Sequence, residues 1–233
     1  MSPINDPKLV RREYADESRF AVRAGAWARS TGPSAIAMHR EAVAEVAPRR
    51  VLEVGCGRGE TAEWIARETG AEVVAVDQSE RMVELTSARG VEAHVGDVED
   101  LPFENGSFDC VVAAWMLYHV ADLDRGLTEI ARVLRPSGRL VAVTNSKRHC
   151  QELKALVGVT GQSAFSAENG EEILRRHFSE VERRDAEGYA VFEPDEAIAY
   201  IEAMENLWRR EAVPAIDEPI RVTKAPVVFV ATK

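Results

Sequence analysis

Three cysteines in 233 residues, Cys56, Cys110 and Cys150, are too few and too widely spaced for a disulfide framework, and no pair has metal-ligand spacing. Reduced thiols in a cytoplasmic protein are the expectation, with no metal site. Long apolar runs are missing too. The longest, Val111 to Leu117, falls far short of the ~20 residues that a membrane-spanning helix needs. Met1 to Val10 lacks the apolar core of a signal peptide. Positive charge is in deficit: 29 Lys and Arg stand against 39 Asp and Glu, a net charge of −10. Phosphate neutralisation needs clustered cations. The nearest approaches to a cluster, Arg11-Arg12 and Arg49-Arg50, read as solvated surface pairs. Neither nucleic acid nor membrane is an expected partner, and no repeat or low-complexity segment interrupts the chain.

What is present suits one sizeable α/β domain. Residues 8 to 29 look helical, and Thr31-Gly32-Pro33 breaks them. Ser34 is placed to cap a helix through about Val46, which Pro48 ends. From Arg50 short apolar strands alternate with helices. The strands are Arg50 to Val54, Glu72 to Val76, Val91 to Val95, Phe108 to Ala114 and Arg139 to Thr144. The helices are Glu60 to Thr69, Ser79 to about Ala88, and Leu123 to Leu134. Such alternation implies βαβ units and a parallel sheet, and nearly all-apolar strands imply helices on both faces. Beyond Thr144, Glu152 to Val157, Gly170 to Phe178 and Pro194 to Trp208 read as helices. Phe178 to Arg184 and one long run, Ile220 to Ala231, read as strands.

Gly55-Cys56-Gly57-Arg58-Gly59 lies between the first strand and its helix, where glycines permit a tight turn and close ligand approach. Glu53, two residues earlier, is an acid in an apolar strand and needs partners there. Asp77 ends the second strand, placed to accept from the two hydroxyls of a ribose. Asp97, in Gly96-Asp97-Val98 after the third strand, can accept from an exocyclic adenine amine while Val98 packs on the ring. In a parallel sheet all three strand ends share the carboxyl edge. A nicotinamide dehydrogenase needs G-x-G-x-x-G. Here the third glycine comes one residue early and position 60 is Glu.

Val51-Leu52-Glu53-Val54-Gly55-Cys56-Gly57-Arg58-Gly59 resembles the first motif of class I S-adenosylmethionine-dependent methyltransferases. Val76-Asp77-Gln78-Ser79 with Met82, Gly96 to Phe103, and Phe108 to Val112 are similar to their later motifs. Leu117-Tyr118-His119-Val120 and Arg132 to Gly138 resemble the small-molecule, type 11-like branch. Ser137 departs from that branch, which usually has glycine there. The resemblance covers about residues 50 to 145. It implies a doubly wound, mostly parallel, seven-stranded Rossmann-like sheet with an antiparallel C-terminal strand. Residues 1–48 would form a helical N-terminal cap, 49–145 a cofactor-binding half, and 146–233 a substrate-side half with a helical insertion.

The resemblance also implies site roles. Gly55, Cys56 and Gly57 would lie against the methionine part of S-adenosylmethionine, whose product is S-adenosylhomocysteine, with Glu53 supporting the loop near the amino group. Asp77 would hold the ribose, Gln78 and Met82 would flank the adenine, and Asp97 and Val98 would bind its edge and face. The Ala114 carbonyl would take the amino group, with Trp115 nearby. The expected reaction is in-line methyl transfer to a small-molecule acceptor. A catalytically silent module that binds the same cofactor is the alternative. His119, just past the fourth strand, is the best base candidate, with Tyr118 beside it. Asn145 and His149 are placed to line the mouth, and Tyr14, Arg23 and Trp27 to close over it, with Arg23 able to pair with the methionine carboxylate. Phe165, Phe178, Tyr189, Phe192, Tyr200 and Trp208 are either core or the wall of a partly apolar pocket.

Overall fold

A computed structural model describes residues 6–14, 18–159, 163–208 and 212–233. The chain begins with three helices, α1 (Pro7–Glu13), α2 (Ser18–Gly25) and α3 (Ala35–Val46). Asp6 caps α1 by accepting from Lys8 N, with proline in the first turn. Ser34 caps α3 as expected, and Ala47 closes it in the left-handed region.

Five strands then alternate with helices: β1 (Arg50–Val54), α4 (Glu60–Thr69), β2 (Glu72–Asp77), α5 (Glu80–Ser87), β3 (Glu92–Val95), β4 (Phe108–Ala114), α6 (Leu123–Val133) and β5 (Leu134–Asn145). The strands are parallel neighbours in the order β3-β2-β1-β4-β5. The order reverses between β1 and β4, and ligands bind at such switch points beyond the carboxyl ends of the strands. The later elements are α7 (Gln151–Leu156), α8 (Gly170–Leu174), β6 (Glu180–Asp185), β7 (Gly188–Phe192), α9 (Pro194–Ala203), β8 (Ile220–Lys224) and β9 (Pro226–Thr232). β9 runs antiparallel to both β5 and β6 and completes seven strands. This is the mostly parallel sheet with an antiparallel C-terminal strand that the family resemblance implied.

Alternation along each strand divides the core in two. Leu52, Val54, Val74, Val111 and Leu140 face one way and pack with Leu127 and Ile130 of α6 and Leu174 of α8. Val51, Val73, Val112 and Val141 face the other way and pack with Ala42 and Val43 of α3 and Ala62 and Ile65 of α4. A third cluster sits apart, built from α7, α9, β7, β8 and the segment after α2.

Several expectations need correction. Ile220 to Ala231 is two strands rather than one. β8 leaves the main sheet to pair with β7, a strand the sequence reading did not find. The break falls at Ala225, whose N–H donates to His149 Nδ1 (3.2 Å) and whose carbonyl accepts from Ser146 N (2.8 Å). Both partners lie on the turn after β5, and the break falls beside Pro226, which has no N–H to give a ladder and opens β9. α9 ends at Ala203, and residues 204–207 are turn. The helix expected over Gly170 to Phe178 stops at Leu174, and β6 starts at Glu180. The segment expected to be helical from 8 to 29 is α1 and α2, with residues 15–17 outside the described residues, as is the side chain of Arg11.

Candidate functional site

The turn after β1 is held from both sides. Gly55 N and Cys56 N both donate to the Val76 carbonyl of β2, at 2.7 and 3.2 Å. Gly55 has φ +69°, and a Cβ there would meet the Met116 side chain at 2.7 Å. Gly59 has φ +74° and would place a Cβ 2.8 Å from Thr86 Cα. Gly57, at φ +53°, differs: nothing lies within 4 Å of a Cβ there. Two of the three glycines let protein pack closely, and the middle one faces open space.

Asp77 locks the turn to the second strand end. Its Oδ2 accepts from Gly57 N and its Oδ1 from Ser79 N, both at 2.9 Å. Burial raises its pKa, and the N–H groups of Ser79, Gly57 and Gln78 oppose the rise. Each oxygen keeps a further lone pair. Gln78 Nε2 donates to Asp97 Oδ2 at 3.1 Å, and Asp97 Oδ1 accepts from Glu99 N at 3.0 Å. The two expected adenine-side polar residues are therefore in contact. Met82, on α5, is buried at 1% exposure, and Val98 is buried at 6%, facing Gly126 of α6.

Glu53 is fully inside the protein. Burial pushes its carboxyl up to about 8, an Ala62 N–H partly opposes this, and Asp77 adds to it. Among the described residues, its Oε2 has no hydrogen-bond partner. A buried acid with an idle oxygen behind a ligand-ready glycine turn suits a cationic group nearby. Cys56 Sγ lies 3.4 Å from Thr86 Oγ1, and the hydroxyl also donates to the Gly57 carbonyl at 3.1 Å. Burial raises the Cys56 thiol well above its usual range, so it is no nucleophile at neutral pH. Thr86 was not anticipated. An inward threonine on α5 carries no sequence signal that sets it apart from core.

At the exit of β4, Trp115 sits at φ +55° and donates Nε1–H to Asn145 Oδ1 at 3.3 Å. Its N–H donates to the Val143 carbonyl, which fixes the chain beside Ala114. A 3-10 helix over Leu117–His119 follows. His119 Nε2 is 3.0 Å from the Tyr14 hydroxyl, and the Tyr118 ring lies edge-on to the His119 ring at 4.6 Å. Burial raises both phenols, Tyr118 strongly, and keeps them neutral.

Tyr14 reaches this point because the N-terminal segment crosses the carboxyl edge. Its carbonyl accepts from Ser79 Oγ at 2.9 Å. Glu13 beside it is buried and accepts from Arg23 and from Asn206 Nδ2. Arg23 also donates to the Ala203 carbonyl at 2.8 Å and lies over the Tyr14 ring. Its guanidinium is thus engaged with Glu13 and α9. Trp27, after α2, packs on His149, Phe192 and Tyr200. Phe165 and Phe178 belong to the sheet core, and Phe192, Tyr200 and Trp208 to the third cluster. Tyr189 lies under Arg221. These aromatics are mostly packing, and Trp27, whose ring lies against His149, is half-buried.

Geometry and comparison agree on the class. Residues 52–142 match the family model described as a methyltransferase domain. The ubiquinone biosynthesis O-methyltransferase of Xanthomonas oryzae pv. oryzae is 35% identical over 174 residues, 68% of this chain and 72% of that protein. Methyltransferase GfsG of Streptomyces halstedii is 41% identical over 102 residues, 40% of this chain and 37% of that protein. The matched stretch spans less than half the length of the first curated relatives. Among solved structures, the [4+2]-cyclase SpnF superposes with a TM-score of 0.65 at 20% identity, covering 96% of this chain and 94% of that one. That likeness concerns the fold. The chain belongs to the class I S-adenosylmethionine-dependent methyltransferase family.

Proposed function

We propose that this protein transfers a methyl group from S-adenosylmethionine to a small-molecule acceptor. The observation that carries the reading is the Gly55–Gly59 turn at the switch point, open at Gly57, with Asp77 across it and the idle Glu53 oxygen behind it. When bound, the cofactor supplies a methyl group already activated on a sulfonium. Gly55, Cys56 and Gly57 would lie along its methionine part. Glu53 and the Ala114 carbonyl would face the amino group, with Trp115 beside them. Asp77 would accept from the ribose hydroxyls, Gln78 and Met82 would flank the adenine, and Asp97 and Val98 would meet its edge and face.

An in-line displacement asks the protein for alignment and a dry site. A base is needed where the attacking atom must lose a proton. His119, just past β4, would take that proton, with Tyr14 reaching its ring from the cap and Tyr118 edge-on to it. Residues 1–48 serve in this reading as a cap over the cofactor half, 49–145, and 146–233 as the acceptor side.

A net charge of −10 argues for a small molecule over nucleic acid as the acceptor. Among the described residues no helix is long and apolar enough to cross a membrane. Three buried free thiols suit a reducing cytosol. The test is transfer of labelled methyl from S-adenosylmethionine into fractionated small-molecule extract. Label entering a small molecule supports the reading. Label only in protein or RNA, or cofactor binding with no turnover on any fraction, contradicts it.

A further inference from the structure

Two histidines, His39 buried and His149 half-buried, are held in opposite tautomers. His39, on α3, has its Nδ1 3.2 Å from the Ala35 carbonyl, which can only accept, so the proton is on Nδ1. Its Nε2 is sealed and without a partner among the described residues, and its ring meets Trp115 edge-on. His149 is the reverse. Its Nδ1 faces the Ala225 N–H, which can only donate, so the proton is on Nε2. Burial and then Lys154 hold its pKa down at about 3, with Glu152 opposing and Lys224 adding, so the ring is neutral. Trp27 stacks on it with centroids 4.7 Å apart and 34° between planes.

Asn145 follows the same logic. Its Oδ1 accepts from Trp115 Nε1–H, which fixes the amide and leaves Nδ2 as the outward group. His149 Nε2 and Asn145 Nδ2 make no hydrogen bond among the described residues. Neither is among the sealed atoms there without a hydrogen bond, which are Arg19 Nη1, His39 Nε2, Arg40 Nε and Glu53 Oε2. Both N–H groups therefore reach space, from one turn, at the exit of β5.

We infer that Asn145 and His149 turn N–H donors into the acceptor pocket, and that the molecule methylated presents an uncharged oxygen lone pair, such as a carbonyl, on an apolar ring body lying against Trp27. The Ala225 N–H occupies the single lone pair of His149 Nδ1, so that ring offers only its N–H, and Asn145 turns Nδ2 the same way while its Oδ1 holds Trp115. A site built to hydrogen-bond an oxygen rejects the analogue that lacks it, because its buried donors are left unpaired. The half-buried Trp27 ring beside them gives an apolar surface, fixed from behind by Phe192 and Tyr200. This inference rests on the methyltransferase reading for the identity of the pocket.

The experiment is a binding titration of protein loaded with S-adenosylhomocysteine, using 1-tetralone, its hydrocarbon counterpart tetralin, and 2-naphthoate. 1-Tetralone is expected to bind at least ~10-fold more tightly than tetralin and more tightly than the anion. His149→Phe should abolish most of that preference while leaving cofactor-product affinity unchanged, and His149→Gln, which keeps an N–H donor, should retain part of it. In 15N spectra the His149 Nε2–H signal should shift with 1-tetralone and stay in place with tetralin. Equal affinities, a preference that survives in His149→Phe, tighter binding of 2-naphthoate, or no binding of 1-tetralone would each overturn the inference. Should the protein fail to bind S-adenosylhomocysteine, the cofactor reading falls, and the same ligand comparison on the unloaded protein still decides this one.

Discussion

The carboxyl edge of the sheet and the aromatic cluster around Trp27 are built on different principles. At the edge, short loops between neighbouring strands are fixed by backbone donors: Gly55 and Cys56 on Val76, Gly57 and Ser79 on Asp77. The partners lie within about one βαβ unit, and the residue types follow from local geometry. The Trp27 cluster gathers rings from residues 27, 149, 192 and 200, four separate parts of the chain. It depends on shape and burial, which many sequences can satisfy. On the proposed function, the cofactor falls to the first kind of structure and the acceptor to the second.

The largest expected effect breaks the edge outright. Gly59→Val must hold φ +74° and force a Cβ to within 2.8 Å of Thr86 Cα. A loss of roughly 4 kcal/mol in chemical denaturation, with cofactor affinity gone, is expected. Trp27→Ala sharpens the contrast from the other side. It should cost ~2–3 kcal/mol of stability through lost packing and leave S-adenosylhomocysteine affinity within about twofold. A large fall in that affinity would mean the two regions are not separable.

Tyr14→Phe probes the join between them, because Tyr14 comes from the cap and meets His119 at the edge. Its kcat is expected to fall ~10-fold or more, with KM for the cofactor nearly unchanged. An unchanged kcat would remove Tyr14 from the mechanism.

The subtlest expectation concerns Glu53. Its folded pKa of about 8 lies above the ordinary value of 4.5. The folded state therefore binds more protons than the unfolded one between those limits, and stability falls as pH rises from about 4.5 to 8. Glu53→Gln should flatten that slope in denaturation curves taken across the range. An unchanged slope would assign it to other groups.

Much of the edge was legible in sequence. Gly55–Gly59, Asp77 and Asp97 lie at strand ends, and each strand was visible as a short apolar run. The βαβ alternation implied the parallel, doubly wound sheet, and its strand order came from the structure. The rest was hidden for physical reasons. Ile220 to Ala231 carries one local sign of its break, Pro226, and the contact of Ala225 with the turn after β5, which no local pattern shows, fixes the division there. β7 alternates too weakly to stand out, and it exists because β8 pairs with it. Thr86 looks like any buried threonine until the Gly57 carbonyl is above it. Tyr14 and His119 are 105 positions apart, and no local pattern joins them.

The most direct measurement is calorimetric titration of S-adenosylhomocysteine into the wild-type protein and into Asp77→Ala. Saturable binding with one molecule per chain is predicted, weakened in the variant by ~1–3 kcal/mol, the scale for lost hydrogen bonds to a charged group. No heat at millimolar ligand, or equal affinity in the two proteins, would contradict the cofactor site described for the Gly55–Gly59 turn.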